Sequence, residues 1–154
     1  MVHLSAERAE KSRAFDSSSF PGPDACREFL RHIEYLSEPL ALAPDHVLCC
    51  EGDAPRSLFL LTKGDALFTI QSRDGTIPCF AVRAGSLIGL SAIIARTPLA
   101  LTATVSPEAV VRQMDAQEFL ARIEGRADQY MCVLRILAEE TIRAHQALAD
   151  FLPS

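Results

Sequence analysis

The rhythm of apolar and polar positions changes twice along this chain. Beyond Asp24, the residues Cys26, Phe29, Leu30, Ile33 and Leu36 recur at helical spacing. This pattern predicts a helix to about Ser37, with Asp24 as its N-cap and Pro39 as its stop. From Leu40 to Asp115 the rhythm shortens. Apolar runs at Val47–Cys50, Ser57–Thr62, Ala66–Gln71, Ile77–Val82 and Ala109–Met114 alternate with turn signals. The turn signals are Glu51-Gly52-Asp53, Lys63-Gly64-Asp65, Asp74-Gly75 and Ala84-Gly85. Short strands separated by glycine turns predict an antiparallel sandwich or barrel, with Asp74-Gly75 as the strongest hairpin signal. Leu90–Ala95 reads as a helical turn that interrupts the strands.

After Asp115 the helical rhythm returns. Ala116–Glu124 predicts a short helix capped by Asp115, and a long helix follows from about Asp128 to Phe151. Along it, Tyr130, Leu134, Leu137, Thr141, Ala144, Leu148 and Phe151 are spaced by alternating gaps of four and three, which is a heptad seam. A second set, Val133, Ile136, Ile142 and Ala147, flanks the first. Two readings follow from the periodicity: one face on the β-region with a seam free for a second copy, or a single broad core-facing stripe. Arg135, Glu139, Glu140 and Arg143 read as solvated faces with i,i+4 pairing such as Glu139–Arg143.

Residues 1–23 read as a leader. Ser5–Phe15 is compatible with a helical turn or two, and Asp16–Pro23 is a cluster of helix breakers. Residues 24–154 form one domain, and the 154-residue length suits a single hydrophobic core. A net charge of −5 argues against a free-standing nucleic-acid binder. The longest apolar run, Leu87–Ala95, is broken by Gly89 and Ser91 and falls far short of a membrane span. Met1-Val2-His3-Leu4 opens no signal-peptide hydrophobic region, and the five cysteines lack framework spacing, so they read as reduced thiols. The chain therefore reads as cytoplasmic.

The order helix, β-roll, short helix, long two-faced helix resembles the effector-binding half of the Crp–Fnr regulators, the family of the bacterial cAMP receptor protein. Three local blocks carry the resemblance, which extends over about residues 24–152. The run from Glu51-Gly52-Asp53 to Lys63-Gly64 is similar to the family's block of a Glu-Gly-Asp turn, an apolar strand and a glycine. Gly85-Ser86-Leu87-Ile88-Gly89-Leu90-Ser91-Ala92 stands at the place of its phosphate-binding cassette, and Met114-Asp115 with Phe119-Leu120 resembles the entry to its short helix. Gly52 and Gly64 fall where tight reversals need a positive φ or an absent Cβ.

The resemblance implies an α+β fold: an antiparallel β-roll (a double-stranded β-helix or jelly roll) flanked by an N-terminal helix and a long C-terminal dimerisation helix. It implies a homodimer through Tyr130, Leu134, Leu137, Thr141, Ala144 and Leu148. It also implies a small-molecule effector whose binding repacks that helix and reorients an attached DNA-binding head. No helix-turn-helix follows Leu152-Pro153-Ser154, so the chain reads as a stand-alone sensor domain or a piece of a regulator, without nucleic-acid binding of its own.

The candidate ligand site is Gly89, Leu90, Ser91, Ala92, Arg96, Leu99 and Ala100. In the family a Glu takes the ribose hydroxyl and an Arg neutralises the cyclic phosphate, because a buried anion needs an opposite charge and several donors. Here Gly89 keeps the glycine, but Leu90 stands at the Glu position, and Leu99 or Ala100 at the Arg position. Arg96 lies a few residues too early, and the positions that reach a purine base match Ala144 and His145. An unpaired phosphate in an apolar pocket costs roughly a thousandfold in affinity, so tight cAMP binding is not expected. Leu87, Ile88, Leu90, Ile93, Ile94, Leu99 and Leu101 then line a dry cavity. They either fill it, the commoner outcome, or accept an apolar ligand.

Other chemistry finds little support. Neighbours in a strand face opposite sides, so of Cys49 and Cys50 one is expected in the core and the other at the surface. Cys26 alone near the N-terminus cannot hold an iron–sulfur cluster. The four histidines, His3, His32, His46 and His145, lack metal-ligand spacing, which argues against a cupin-like enzyme. No catalytic residue, metal or cofactor is expected. The alternative to a sensor is a ligand-free dimeric scaffold for protein interactions, which predicts a filled pocket.

Overall fold

The computed structural model describes residues 22–151, leaving outside it the predicted helical turn of the leader and the side chains of Ala147, Leu148 and Phe151. The first element, α1 (Pro23–Leu36), begins at Gly22 rather than at an Asp24 cap: Pro23 takes the first helical position and Asp24 sits in the first turn. Its end is held from a distance. Arg112 Nε donates to the Glu34 carbonyl and to Ser37 Oγ, each at 3.0 Å, so the sheet ties down the last turn of the helix.

Eight strands form two antiparallel sheets. The first contains β1 (Glu38–Leu40), β8 (Val110–Asp115), β3 (Ser57–Lys63) and β6 (Leu87–Ile88), in that order. The second contains β2 (Val47–Cys49), β7 (Thr102–Val105), β4 (Asp65–Ser72) and β5 (Gly75–Arg83). The five predicted strands are all present. β1, β6 and β7 were missed: β1 runs through the expected breaker Pro39, β6 has only two residues and β7 only four. β4 and β5 form the predicted hairpin, with Ser72 opposite Gly75 across Arg73-Asp74. Further along this pair Phe68 faces Phe80 and Thr69 faces Pro78, which leaves Cys79 as a bulged residue on the outer strand.

Strand alternation explains the two cores. On β3, Leu58 and Leu60 point to the helical side, joining Phe29 and Ile33 of α1, Phe119 and Ile123 of α3 (Ala116–Ile123) and Val133 of α4 (Ala127–Phe151). Leu61 points the other way, into the space between the sheets with Ala66, Ile88, Ala103, Val105 and Val111. Asp115 caps α3 as expected, accepting from the Glu118 N–H at 3.0 Å. Gly64 must be glycine on two counts. Its φ is +85°, and a Cβ there would lie 2.6 Å from Ser106 Oγ and 2.8 Å from Ala109 Cα. The architecture is the α+β β-roll expected from the sequence.

Candidate functional site

The segment from Gly85 to Leu101 is held to the rest of the roll by its backbone. The Gly85 N–H donates to the Leu61 carbonyl at 2.7 Å, and the Leu61 N–H donates to the Ser86 carbonyl at 3.0 Å. Gly89, at φ +92°, then turns the chain into α2 (Leu90–Ala95), the helical turn predicted from the sequence. A Cβ at Gly89 would be strained at this φ and crowd the Ser57 carbonyl at 3.3 Å, so the turn favours glycine. Arg96 ends α2 in the left-handed region, at φ 56°. Farther along, the Leu99 N–H donates to the Asp53 carbonyl at 2.9 Å, and the Gly52 N–H returns a bond to the Leu99 carbonyl at 2.7 Å. The Glu-Gly-Asp turn and the cassette thus fix each other.

Under this segment lies a cavity of about 190 Å³. Gly89, Leu90, Ser91, Ala92, Leu99 and Ala100 line it, as do Leu87, Ile88 and Leu101. Arg96 is not among the lining residues, and its side chain is exposed. Ile93 and Ile94 do not reach the cavity either; they pack into the helical-side core. The expectation that apolar side chains fill the space fails for this reason, because part of the aliphatic bulk of α2 is spent on the other side of the helix. The start of α2 leaves the N–H groups of Leu90, Ser91 and Ala92 outside the helical ladder, which supplies donors but no charge.

The rest of the wall comes from farther away. β4 and β5 contribute Phe68, Phe80 and Val82, with the two rings stacked at 4.8 Å between centroids. Leu30 of α1 and Cys49 of β2 contribute an edge each, and burial pushes the Cys49 thiol up. Cys50, just past the end of β2, is exposed, whereas Cys49 is half-buried.

α4 closes the cavity with Ile136, Glu139, Glu140 and Arg143. Glu139 and Arg143 are exposed at its rim, as expected of a solvated face, and Glu140 departs from that expectation. Glu139 pairs with Arg135, one turn earlier, at 3.3 Å, rather than with Arg143. Glu140 is half-buried, and that burial raises its carboxyl to about 7 against the opposing pull of Arg143. The signal was present in the spacing: Ile136, Glu140 and Arg143 repeat the four–three rhythm of one helix face. Ala144 and His145 do not line the cavity; His145 Nδ1 instead lies 2.9 Å from the Thr141 carbonyl. Of the predicted seam, Tyr130, Leu134 and Thr141 are exposed, and Leu137 and Ala144 are half-buried. Leu148 lies beyond the described side chains.

The profile of the cyclic nucleotide-binding domain matches residues 39–126, more than half of the 154-residue chain. The chain belongs to the cyclic nucleotide-binding domain family. No curated protein matches its sequence. Among solved structures, this cyclic nucleotide-binding domain is similar to the N-terminal domain of a transcriptional regulator from Streptomyces coelicolor A3(2). The TM-score is 0.59 at 21% identity, covering 78% of this chain and 84% of that one. Against the catabolite activator protein of Thermus thermophilus the TM-score is 0.64 at 14% identity, over 86% of this chain and 61% of the other. A cyclic nucleotide-binding-like protein from Brucella abortus gives 0.54 at 23% identity, over 70% and 88%. At these identities the likeness is one of fold. The domain shares the architecture of the sensor halves of Crp–Fnr-type regulators, and its cavity lies between the cassette segment and α4. No helix among the described residues is long and apolar enough to cross a membrane, and no three His, Cys, Asp or Glu residues among them cluster as metal ligands.

Proposed function

We propose that this domain is a regulatory sensor whose pocket has changed ligand class: it takes a small, largely apolar effector and does not hold a cyclic phosphodiester tightly. One observation carries the reading. Among the described residues lining the cavity the sole cation is Arg143, on α4, and Glu139 and Glu140 stand beside it. A cyclic phosphate at the cassette would meet Leu90, Leu99 and Ala100 where an ion pair is needed, and the acidic side chains of Glu139 and Glu140 across the cavity. Burying its charge without a partner costs more than the helix-start N–H groups return. The volume suits a small molecule: an engineered apolar cavity of about 150 Å³ in another protein admits benzene. A cavity of this size also weighs against the ligand-free scaffold, which needs a filled pocket.

The domain acts as a homodimer through α4 in this reading. That helix buries Cys132 and Val133 against the core, while Tyr130, Leu134 and Ile142 are 42%, 48% and 57% exposed. Large apolar side chains left in water along one helix are what a second copy would cover. We place the dimer in the cytoplasm and assign it no catalysis.

Calorimetric titration with cAMP and with cGMP tests the pocket. No heat and no thermal shift are expected at about millimolar nucleotide. Micromolar binding would overturn the reading and make Arg143 the phosphate's partner. Sedimentation equilibrium tests the dimer, and Leu134→Glu is expected to give monomer.

A further inference from the structure

Cys26, in the first turn of α1, and Cys132, in the second turn of α4, are separated by 106 residues in sequence, yet their Sγ atoms approach to 3.0 Å. A disulfide bond is only about 1 Å shorter. Both are free thiols, 7% and 3% exposed, inside the helical-side core. We infer that Cys26 and Cys132 are a site of reversible disulfide formation, a latch between α1 and α4. Its place in the fold gives the latch a consequence. Leu30 and Ile136 each lie one helical turn beyond a cysteine, on the same face, and both line the cavity. Closing the bond therefore fixes the two helical walls of the pocket relative to each other.

The oxidant is a low-molecular-weight disulfide. Helix ends open at little cost, so fraying of the first turn of α1 brings Cys26 to solvent. Its thiolate attacks one sulfur of the reagent, the reagent's S–S bond breaks, and the first reagent thiolate departs with the proton that Cys26 has released. Burial, reinforced by Cys26 beside it, pushes the Cys132 thiol up to about 12, so it stays protonated and acts second. When the turn refolds, Cys132 attacks Cys26 of the mixed disulfide. The second reagent thiolate leaves with the proton of Cys132. One protein disulfide forms, two reagent thiols are released, and the electrons balance. The remaining cysteines compete for the oxidant and are removed from the test: Cys49 in the cavity wall, the exposed Cys50 beside it, and Cys79 in the β5 bulge.

The test uses the whole chain carrying Cys49→Ser, Cys50→Ser and Cys79→Ser, treated with oxidised glutathione, quenched with N-ethylmaleimide and weighed. The expected product is lighter than the reduced chain by about 2 Da, takes up no maleimide and gives a linked Cys26–Cys132 peptide. Its Tm should rise by about 10 °C, because the bond closes a loop of about a hundred residues, and dithiothreitol should reverse the shift. Amides in the first turn of α1 should exchange more slowly. Cys26→Ala added to this background should abolish both the mass change and the Tm rise. A stable glutathione adduct on Cys26, two alkylated cysteines, or a bond that lowers the Tm would each overturn the inference. If the triple variant does not fold, the same peptide is sought in the unaltered chain, where a Cys49–Cys50 product in its place counts against the latch. None of these outcomes depends on which ligand the pocket takes.

Discussion

One wall of the cavity, the segment from Gly85 to Leu101, contributes apolar and hydroxyl side chains on a backbone pinned at Leu61, Gly52 and Asp53. The opposite wall, α4, contributes Glu139, Glu140 and Arg143 on a helix that shows an apolar flank to water. In the first wall the backbone geometry is strict and the side chains are chemically silent. In the second the backbone is an ordinary helix and the side chains carry all the charge. Different elements therefore set the shape of this pocket and its charge. The glycines determine the shape, and α4, which we propose as the dimer helix, carries the charge that faces the pocket.

Substitutions at the two walls should consequently differ in kind. The largest effect belongs to Leu90→Ala. The side chain is 1% exposed, and its loss should cost about 3 kcal/mol at any pH, read from the denaturant midpoint at fixed protein concentration. A cost under about 1 kcal/mol would show that the wall collapses onto the cavity and is less rigid than its hydrogen bonds imply. Gly89→Ala comes next, at about 1–2 kcal/mol, from the strain of φ +92° together with the approach to the Ser57 carbonyl.

The smallest effect is expected at Glu140, and it alone should depend on pH. Its carboxyl is raised to about 7 in the folded chain, above the ordinary value of 4.5, chiefly by burial. The folded state then binds the proton more tightly than the unfolded one. The stability this gives is fully present below about pH 4.5 and is lost as pH rises through 7. Solvent at the half-buried site screens the effect to about 1 kcal/mol. Glu140→Gln should remove the slope between pH 5 and 8 and make the domain more stable than the unaltered chain at pH 8, by urea denaturation. An unchanged slope would put the carboxylate in water and return α4 to a solvated face.

Most of the fold was legible in the sequence because its determinants are local. Gly52, Gly64 and Gly89 mark positive-φ turns, Asp115 marks a helix start, and Asp74-Gly75 marks the β4–β5 hairpin. β1, β6 and β7 escaped because their positions depend on partners remote in sequence, as with Leu60 opposite Leu87. The site was half legible. The cassette residues could be named from their order, but Arg96 was weighed by sequence distance, and the left-handed end of α2 puts it outside the cavity. Glu140 was read as a surface charge because a helix wheel shows which residues share a face, not what that face meets. The approach of Cys26 to Cys132 was invisible for the same reason.

The bulge in β5 has a bearing on how these molecules meet one another. β5 is the longest strand, with nine residues, and it lies at the border of its sheet, where free backbone groups could recruit a strand from another molecule. Pro78 offers no N–H there, and the extra residue at Cys79 breaks the regular spacing that a docking strand would have to follow. The border is thereby guarded against edge-to-edge aggregation, so that crowded copies are steered away from extending one another's sheets.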